Sequence, residues 1–169
     1  MINPTISVMG EEEPIEIGFD ALAAYHGQSA LAMLAITFQC LRATTAILSP
    51  QSPAPRSAFF IVSGHPGPGV RDAFEFVTRA VTRGAYVIDL TLPDARHNPF
   101  AEISYSFTIS LGKRTAHAAL KKNVLPDRFF ELIALKSKSD VIQSEFSALK
   151  RAIAADVLAV APATLFDIA

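Results

Sequence analysis

Residues Ala101–Leu120 read AEISYSFTISLGKRTAHAAL. Ile103, Tyr105, Phe107, Ile109 and Leu111 fall on one side of an extended chain, with Ser and Thr on the other. That two-residue period describes a half-buried strand. Gly112-Lys113 is a tight-turn pair, and Arg114–Leu120 reads as a second strand, so the segment predicts an antiparallel hairpin. Upstream, Ser57–Ser63 (SAFFIVS) is a short apolar run bounded by turn residues, and Ala85–Leu92 (AYVIDLTL) is another; both read as strands. Between them, Val70–Arg83 (VRDAFEFVTRAVTR) carries Val70, Ala73, Phe74, Val77, Ala80 and Val81 at helical spacing, with Gly84 expected as the C-cap.

Working toward the N-terminus, Ser29–Leu48 (SALAMLAITFQCLRATTAIL) is apolar nearly all round, the pattern of a helix inside a core. A first helical segment runs from about Gly18 to Gln28, and Gly27 marks a break or a close approach. SPQSPAPRS and PDARHNP read as loops. Pro126-Asp127 opens a short helix, and Ser139–Val160 carries Ile142, Phe146, Leu149, Ile153 and Val157 at the spacing of an amphipathic one. The elements do not alternate strictly between strand and helix. The expected fold class is therefore α+β, a mixed or antiparallel sheet packed against a long buried helix and further helices. Residues 1–16 read as an N-terminal tail or edge segment, 17–135 as the α+β domain, and 136–169 as a C-terminal amphipathic helix offering an interface.

Half of the 169 residues are hydrophobic, 18% are charged and the mean hydropathy is +0.31. Such a chain buries enough apolar surface to offset its ordering entropy, which excludes intrinsic disorder. Fifteen basic residues stand against sixteen acidic ones, so no basic face argues for nucleic acid. The single Cys40 excludes an intramolecular disulfide framework and an all-cysteine metal cage. Ser29–Leu48 is long enough to span a bilayer, but Gln39, Arg42, Thr44 and Thr45 interrupt it, so no membrane is expected. The N-terminus is acidic and too weakly apolar for a signal peptide, and a cytoplasmic location is expected. An excess of apolar surface on so small a domain predicts a homodimer.

Two segments carry candidate chemistry. Tyr25-His26-Gly27-Gln28-Ser29 heads the buried helix. His26 is either a metal ligand or acid/base group, or a helix-start histidine satisfied by a backbone carbonyl. Ser63-Gly64-His65-Pro66-Gly67-Pro68-Gly69 joins a strand to a helix. Its glycines and prolines fix an unusual backbone before a helix N-terminus, the setting in which an anion is held. It has neither the Gly-Lys-Ser/Thr of a nucleotide-binding loop nor the spacing of a dinucleotide fingerprint. A rigid turn that displays His65 is the simpler reading, beside one in which the loop is stiffened for packing alone. The candidate ligand-binding residues are His26, Gln28, Ser29, Gly64, His65, Gly67, Gly69 and Asp72. His26 and His65 are the candidate metal ligands. His97 reads as solvated, His117 as facing either side of its strand, and Cys40 as buried and inert. Asp72 complements a helix dipole.

At these same residues the chain resembles the E-subunit family of formylmethanofuran dehydrogenase. Tyr25-His26-Gly27-Gln28-Ser29-Ala30-Leu31 is similar to that family's His-Gly-His-x-Cys-Pro-Gly element at the head of a long buried helix. Gly67-Pro68-Gly69-Val70-Arg71-Asp72-Ala73 is similar to its turn with a cysteine and Gly-Val-Asp-Ala. Gly112-Lys113-Arg114 and Leu125–Leu132 fit its Gly-Lys turn and closing helix, so the resemblance covers about Ile17 to Leu135. It implies an α+β domain and, by way of the family, metal binding and C1 metabolism. The departures are specific: the family's second histidine is Gln28 here, its Cys-Pro-Gly gives way to Ala30-Leu31-Ala32, and its turn cysteine is missing. Residues 136–169 read as a plain amphipathic helix where many members carry a cysteine-rich zinc module. Thiolates make such sites tight, so no cofactor is expected; zinc is implied only by the resemblance.

Three functions follow. The first is a His26/His65 pocket for a small, anionic ligand or a weakly held metal. The second is an enzyme with a histidine as general acid/base. The third is a non-catalytic dimeric scaffold. Whether the two rings converge on one concave pocket separates the first two from the third.

Overall fold

The hairpin is present in a computed structural model that describes residues 3–169. Strands β1 (Thr5–Met9) and β2 (Pro14–Gly18) lead to helices α1 (Phe19–Tyr25) and α2 (Leu31–Leu48). Then come β3 (Ala54–Pro55), β4 (Phe59–Ser63), α3 (Pro68–Thr78), β5 (Tyr86–Ile88), β6 (Ser106–Leu111) and β7 (Arg114–Leu120). Helices α4 (Asp127–Ala134) and α5 (Asp140–Ala159) and strand β8 (Phe166–Ile168) follow. β6 and β7 pair antiparallel from Ser106↔Ala119 to Leu111↔Arg114, with Gly112 at φ 59° in the turn. β4 pairs antiparallel with β6 and parallel with β5, and β8 pairs antiparallel with β7, giving a mixed sheet of order β5-β4-β6-β7-β8. The fold is α+β.

The apolar face of that sheet, with Ile61, Phe107, Ile109, Ala116 and Ala118 buried, packs on α2 and α3. α2 is the centre of the core: Leu34, Ala35, Ile36, Phe38, Cys40 and Leu41 are fully buried. Its length and composition would suit a membrane span, yet 72% of it is buried inside the molecule. The polar residues that break its apolar run have partners here. Gln39 Nε2 donates to the carbonyls of Val157 (2.8 Å) and Val160 (3.1 Å) at the end of α5, and Arg42 donates to Gln39 Oε1 (2.8 Å). Gln39 thereby satisfies carbonyls that a helix C-terminus leaves without partners.

Several boundaries differ from the expected ones, each for a local reason. The segment read as a tail or edge segment contains a hairpin: β1 and β2 pair from Thr5↔Gly18 to Met9↔Pro14, bury Ile6, Val8 and Ile17, and join β3 in a second sheet with β2 at its edge. The charged Glu11–Glu13 turn is exposed. α3 begins at Pro68 and ends at Thr78, not at Arg83. Pro suits the first helical position, and Arg79 turns left-handed (φ 59°). Glu75 then accepts from Thr82 N–H (3.0 Å), so Ala80–Gly84 is a turn tied to the helix. β5 is three residues long because Asp89 accepts from Thr91 N–H (2.9 Å) and bends the chain. β6 starts at Ser106, since Ser104 bonds the carbonyl of Asp94 and the chain before it is a loop. That loop buries Ser104 and Ser106, which the alternation alone puts on an open face. The C-terminal helix, read as an interface, buries Phe146, Ile153, Ala154 and Val157 within the chain and exposes Val141 and several alanines.

Candidate functional site

Between α1 and α2 the backbone is left-handed at Gly27 (φ 83°), Gln28 (59°) and Ala30 (52°). For residues other than glycine such a φ costs on the order of 1 kcal/mol each. This sharp turn sets His26 at the end of α1 beside the start of α3. His26 Nδ1 lies 2.7 Å from Asp72 Oδ2, and both side chains are largely shielded from solvent. Asp72 accepts from Nδ1–H, and in neutral His26 the lone pair then lies on Nε2. The other Asp72 oxygen accepts from Arg71 at 3.3 Å.

His65 is held in the opposite sense. Ser63 Oγ donates to the His65 carbonyl (2.8 Å) and accepts from its N–H (3.1 Å), which closes the turn. The N–H of Gly67 donates to His65 Nδ1 at 2.9 Å, so the ring proton sits on Nε2. The side chain is buried, and burial pushes its pKa down to about 4. Its ring lies tilted against Tyr105, centroids 4.9 Å apart, and Tyr105 meets Phe130; Phe130 meets Phe129, and Phe129 meets Phe146. That aromatic chain ties the histidine turn to α4 and α5.

Both histidines line one cavity of about 320 Å³. Its floor is the first turns of α2 (Ala32, Met33) and α3 (Pro68, Gly69, Val70), neither of which has a side-chain cap. Free N–H groups of a first helical turn carry the positive end of the helix dipole. Phe129 and Ile133 of α4 and Phe146 of α5 form an apolar wall, and Lys150 of α5 stands beside them. The Lys150 ammonium lies 4.6 Å over the Phe146 ring and has no carboxylate partner among the described residues. Burial, then the charges of Lys138 and Arg151, hold its pKa below the usual lysine value.

Of the expected binding residues, His26, Ser29, His65, Gly67 and Gly69 line this cavity, and Asp72 stands behind His26. Gln28 is exposed and lies outside it. Gly64 also lies outside; a Cβ there would meet Ser104 Cβ at 2.6 Å, so it is a packing glycine. Val70 and Phe129 fall in the motif-like segments 67–73 and 125–132, whereas Met33, Ile133, Phe146 and Lys150 belong to the cavity without any signal in a motif. Only the amphipathic spacing of their helices pointed inward. His97 is not simply solvated: its Nε2 bonds the Leu120 carbonyl at 2.8 Å. His117 sits on the outer sheet face, with Nδ1 2.9 Å from Thr108 Oγ1 and Nε2 3.0 Å from Asp94. Cys40 is fully buried, which raises its thiol pKa and suppresses the thiolate.

For a metal, this cavity holds two imidazoles, but His65 has Nδ1 engaged by Gly67 N–H and its proton on Nε2, so only His26 Nε2 offers a free lone pair. Among the described residues no group of three histidine, cysteine, aspartate or glutamate side chains comes together. Asp72 is engaged by His26, and a neighbouring ammonium disfavours a cation. That donor set does not fit a resident zinc ion. Larger clefts of about 470 Å³ by Arg56 and Arg83 and about 420 Å³ by Arg42 and Ser49 contain no histidine or cysteine, and one of about 400 Å³ is lined by His97 and His117, both hydrogen-bonded within the fold. No family model and no curated protein matches this sequence.

Proposed function

We propose that the chain is a cytoplasmic, homodimeric domain that binds a small carboxylate with an apolar body in the His26/His65 cavity. One observation carries this reading. The starts of α2 and α3, the Nε2–H of His65 and Lys150, which has no carboxylate partner among the described residues, all border a cavity otherwise walled by Met33, Val70, Phe129, Ile133 and Phe146. The positive groups of the lining suit an anion, and its aromatic and aliphatic side chains suit a hydrocarbon chain. No resident metal is needed, and any metal held by two imidazoles would be weakly bound. The relation to the E-subunit family of formylmethanofuran dehydrogenase, and with it C1 metabolism, stays a proposal; it is supported by the meeting of both motif-like segments, 25–31 and 67–73, at this cavity. The homodimer is supported by Phe60 and Val87, both exposed on the outer sheet face, beside exposed Ile88 and Leu90 at the β5 edge.

The test is a thermal-shift comparison of hexanoate with hexanamide at pH 8. Hexanoate at ten times its Kd stabilises the fold by about 1.4 kcal/mol, a rise in Tm of about 3–6 °C for a domain of this size. Hexanamide, lacking the charge, gives a smaller shift, and Lys150→Gln reduces the hexanoate shift. Equal shifts from acid and amide, or none from a panel of small acids at pH 6 and 8, overturn the reading.

A further inference from the structure

We infer that this cavity is catalytic, with His26 Nε2 removing a proton from C3 of a bound 2-oxo acid while His65 Nε2–H donates to its carbonyl oxygen. The inference rests on the carboxylate-binding reading of the same cavity and adds a reaction to it. Its basis is the opposed tautomers of the two rings. Asp72 occupies Nδ1 of His26 at 2.7 Å and leaves Nε2 as an acceptor. Gly67 N–H occupies Nδ1 of His65 at 2.9 Å and leaves Nε2 as a donor. Both rings lie against the same first turn of α3. His26 Nε2 is 3.9 Å from where a Cβ on Gly69 would stand, and His65 Cε1 is 2.5 Å from the corresponding point on Gly67. An acceptor and a donor on one cavity are what removal of a proton next to a carbonyl requires.

The contrast within the molecule is informative. His117 also pairs with an aspartate, but its two ring nitrogens are both engaged, by Thr108 and by Asp94. It has no nitrogen left for a ligand. His26 has one.

The substrate class follows from the groups that line the cavity. A carboxylate suits Lys150 and the helix starts, the adjacent carbonyl suits His65, and an alkyl tail suits Phe129 and Ile133. In the step, the C3–H bond breaks and its proton bonds to His26 Nε2. The electron pair forms the C2=C3 bond, and the carbonyl oxygen takes the negative charge and accepts from His65. Return of the proton to C3 regenerates the 2-oxo acid, and delivery to oxygen gives the enol. No oxidant, reductant or second substrate enters. Asp72 is a positioning residue: it fixes the tautomer and orientation of His26 and stabilises the imidazolium that forms.

The test is hydrogen–deuterium exchange at C3 of 2-oxohexanoate, followed by proton NMR in D2O, with binding titrated separately by calorimetry. The full chain is expected to accelerate exchange above an equal concentration of imidazole, with saturation. His26→Gln should lower the turnover at least about 100-fold, and His65→Phe about 100-fold, with each variant checked for cooperative unfolding. Asp72→Asn should lower turnover about 100-fold with KM changed less than about threefold, and Asp72→Glu should restore part of it. If 2-oxohexanoate binds but exchanges no faster than with imidazole, or if folded His26→Gln retains the rate, the catalytic inference falls and the binding reading stands. If it does not bind, the inference falls too, and hexanoate then decides whether the binding reading survives.

Discussion

A methyl group at Gly67 would sit 2.5 Å from Cε1 of His65, and one at Gly69 would sit 2.9 Å from Cβ of Ala30. Gly67 has an ordinary φ of −64°, so both positions need glycine for space and not for backbone freedom. Gly67→Ala is therefore expected to push the His65 ring from its place, lowering stability by about 1–3 kcal/mol. Urea unfolding measures that loss, and an unchanged midpoint contradicts it. His65 also gives the fold a pH dependence of definite sign. Its folded pKa of about 4 lies below the ordinary 6.5, so between these values the unfolded chain takes up a proton and the folded one does not. This contribution is complete above pH 6.5 and is lost as pH falls toward 4, by up to about 3 kcal/mol. His65→Gln should flatten the stability profile over that window. An identical slope in the variant shows that His65 is not the group responsible.

Among the elements, α5 does most to convert two short motifs into a cavity. Phe146 contributes the wall, carries the Lys150 ammonium over its ring and packs on Phe129 at 5.8 Å. Phe146→Ala should cost about 3–5 kcal/mol and weaken hexanoate binding as well. Denaturant titration and calorimetry report the two effects, and loss of stability without loss of affinity would assign Phe146 to packing alone. At the other end of α5, Gln39→Leu removes the donor to the Val157 and Val160 carbonyls and should cost about 1–3 kcal/mol. A cost near zero contradicts the locking role given to that side chain. α2 was legible as a long run apolar nearly all round, α4 from the Pro126-Asp127 that opens it, and α5 because its apolar residues recur at helical spacing. The ends of α3 and β5 were not, because Arg79 and Asp89 stop them through local turns that the hydrophobic pattern does not record.

For the whole molecule, the sequence already carried the α+β class, the hairpin and the core helix, since each depends on periodicity within one segment. The second sheet escaped notice because β3 is two residues long and pairs with β1 across more than forty residues. For the same reason the site was half legible. His26, His65 and the glycines announced themselves by an odd local composition, but Phe129, Ile133 and Lys150 reach the cavity only through tertiary packing. The Asp72–His26 bond joins residues 46 apart, so spacing alone offered no sign of it. Dimerisation through the exposed apolar side chains at β4 and β5 predicts a particle of about twice the 18.2 kDa chain mass on a sizing column, and elution as a monomer contradicts it. The central claim is that two oppositely protonated histidines share one anion-binding cavity. The most direct test is a long-range proton–nitrogen correlation spectrum of histidine-labelled protein at pH 7.5, recorded during titration with hexanoate. His26 is expected to be protonated on Nδ1 and His65 on Nε2, with both Nε2 signals moving together on addition of the acid. Two rings in the same tautomer, or only one responding to hexanoate, would contradict it.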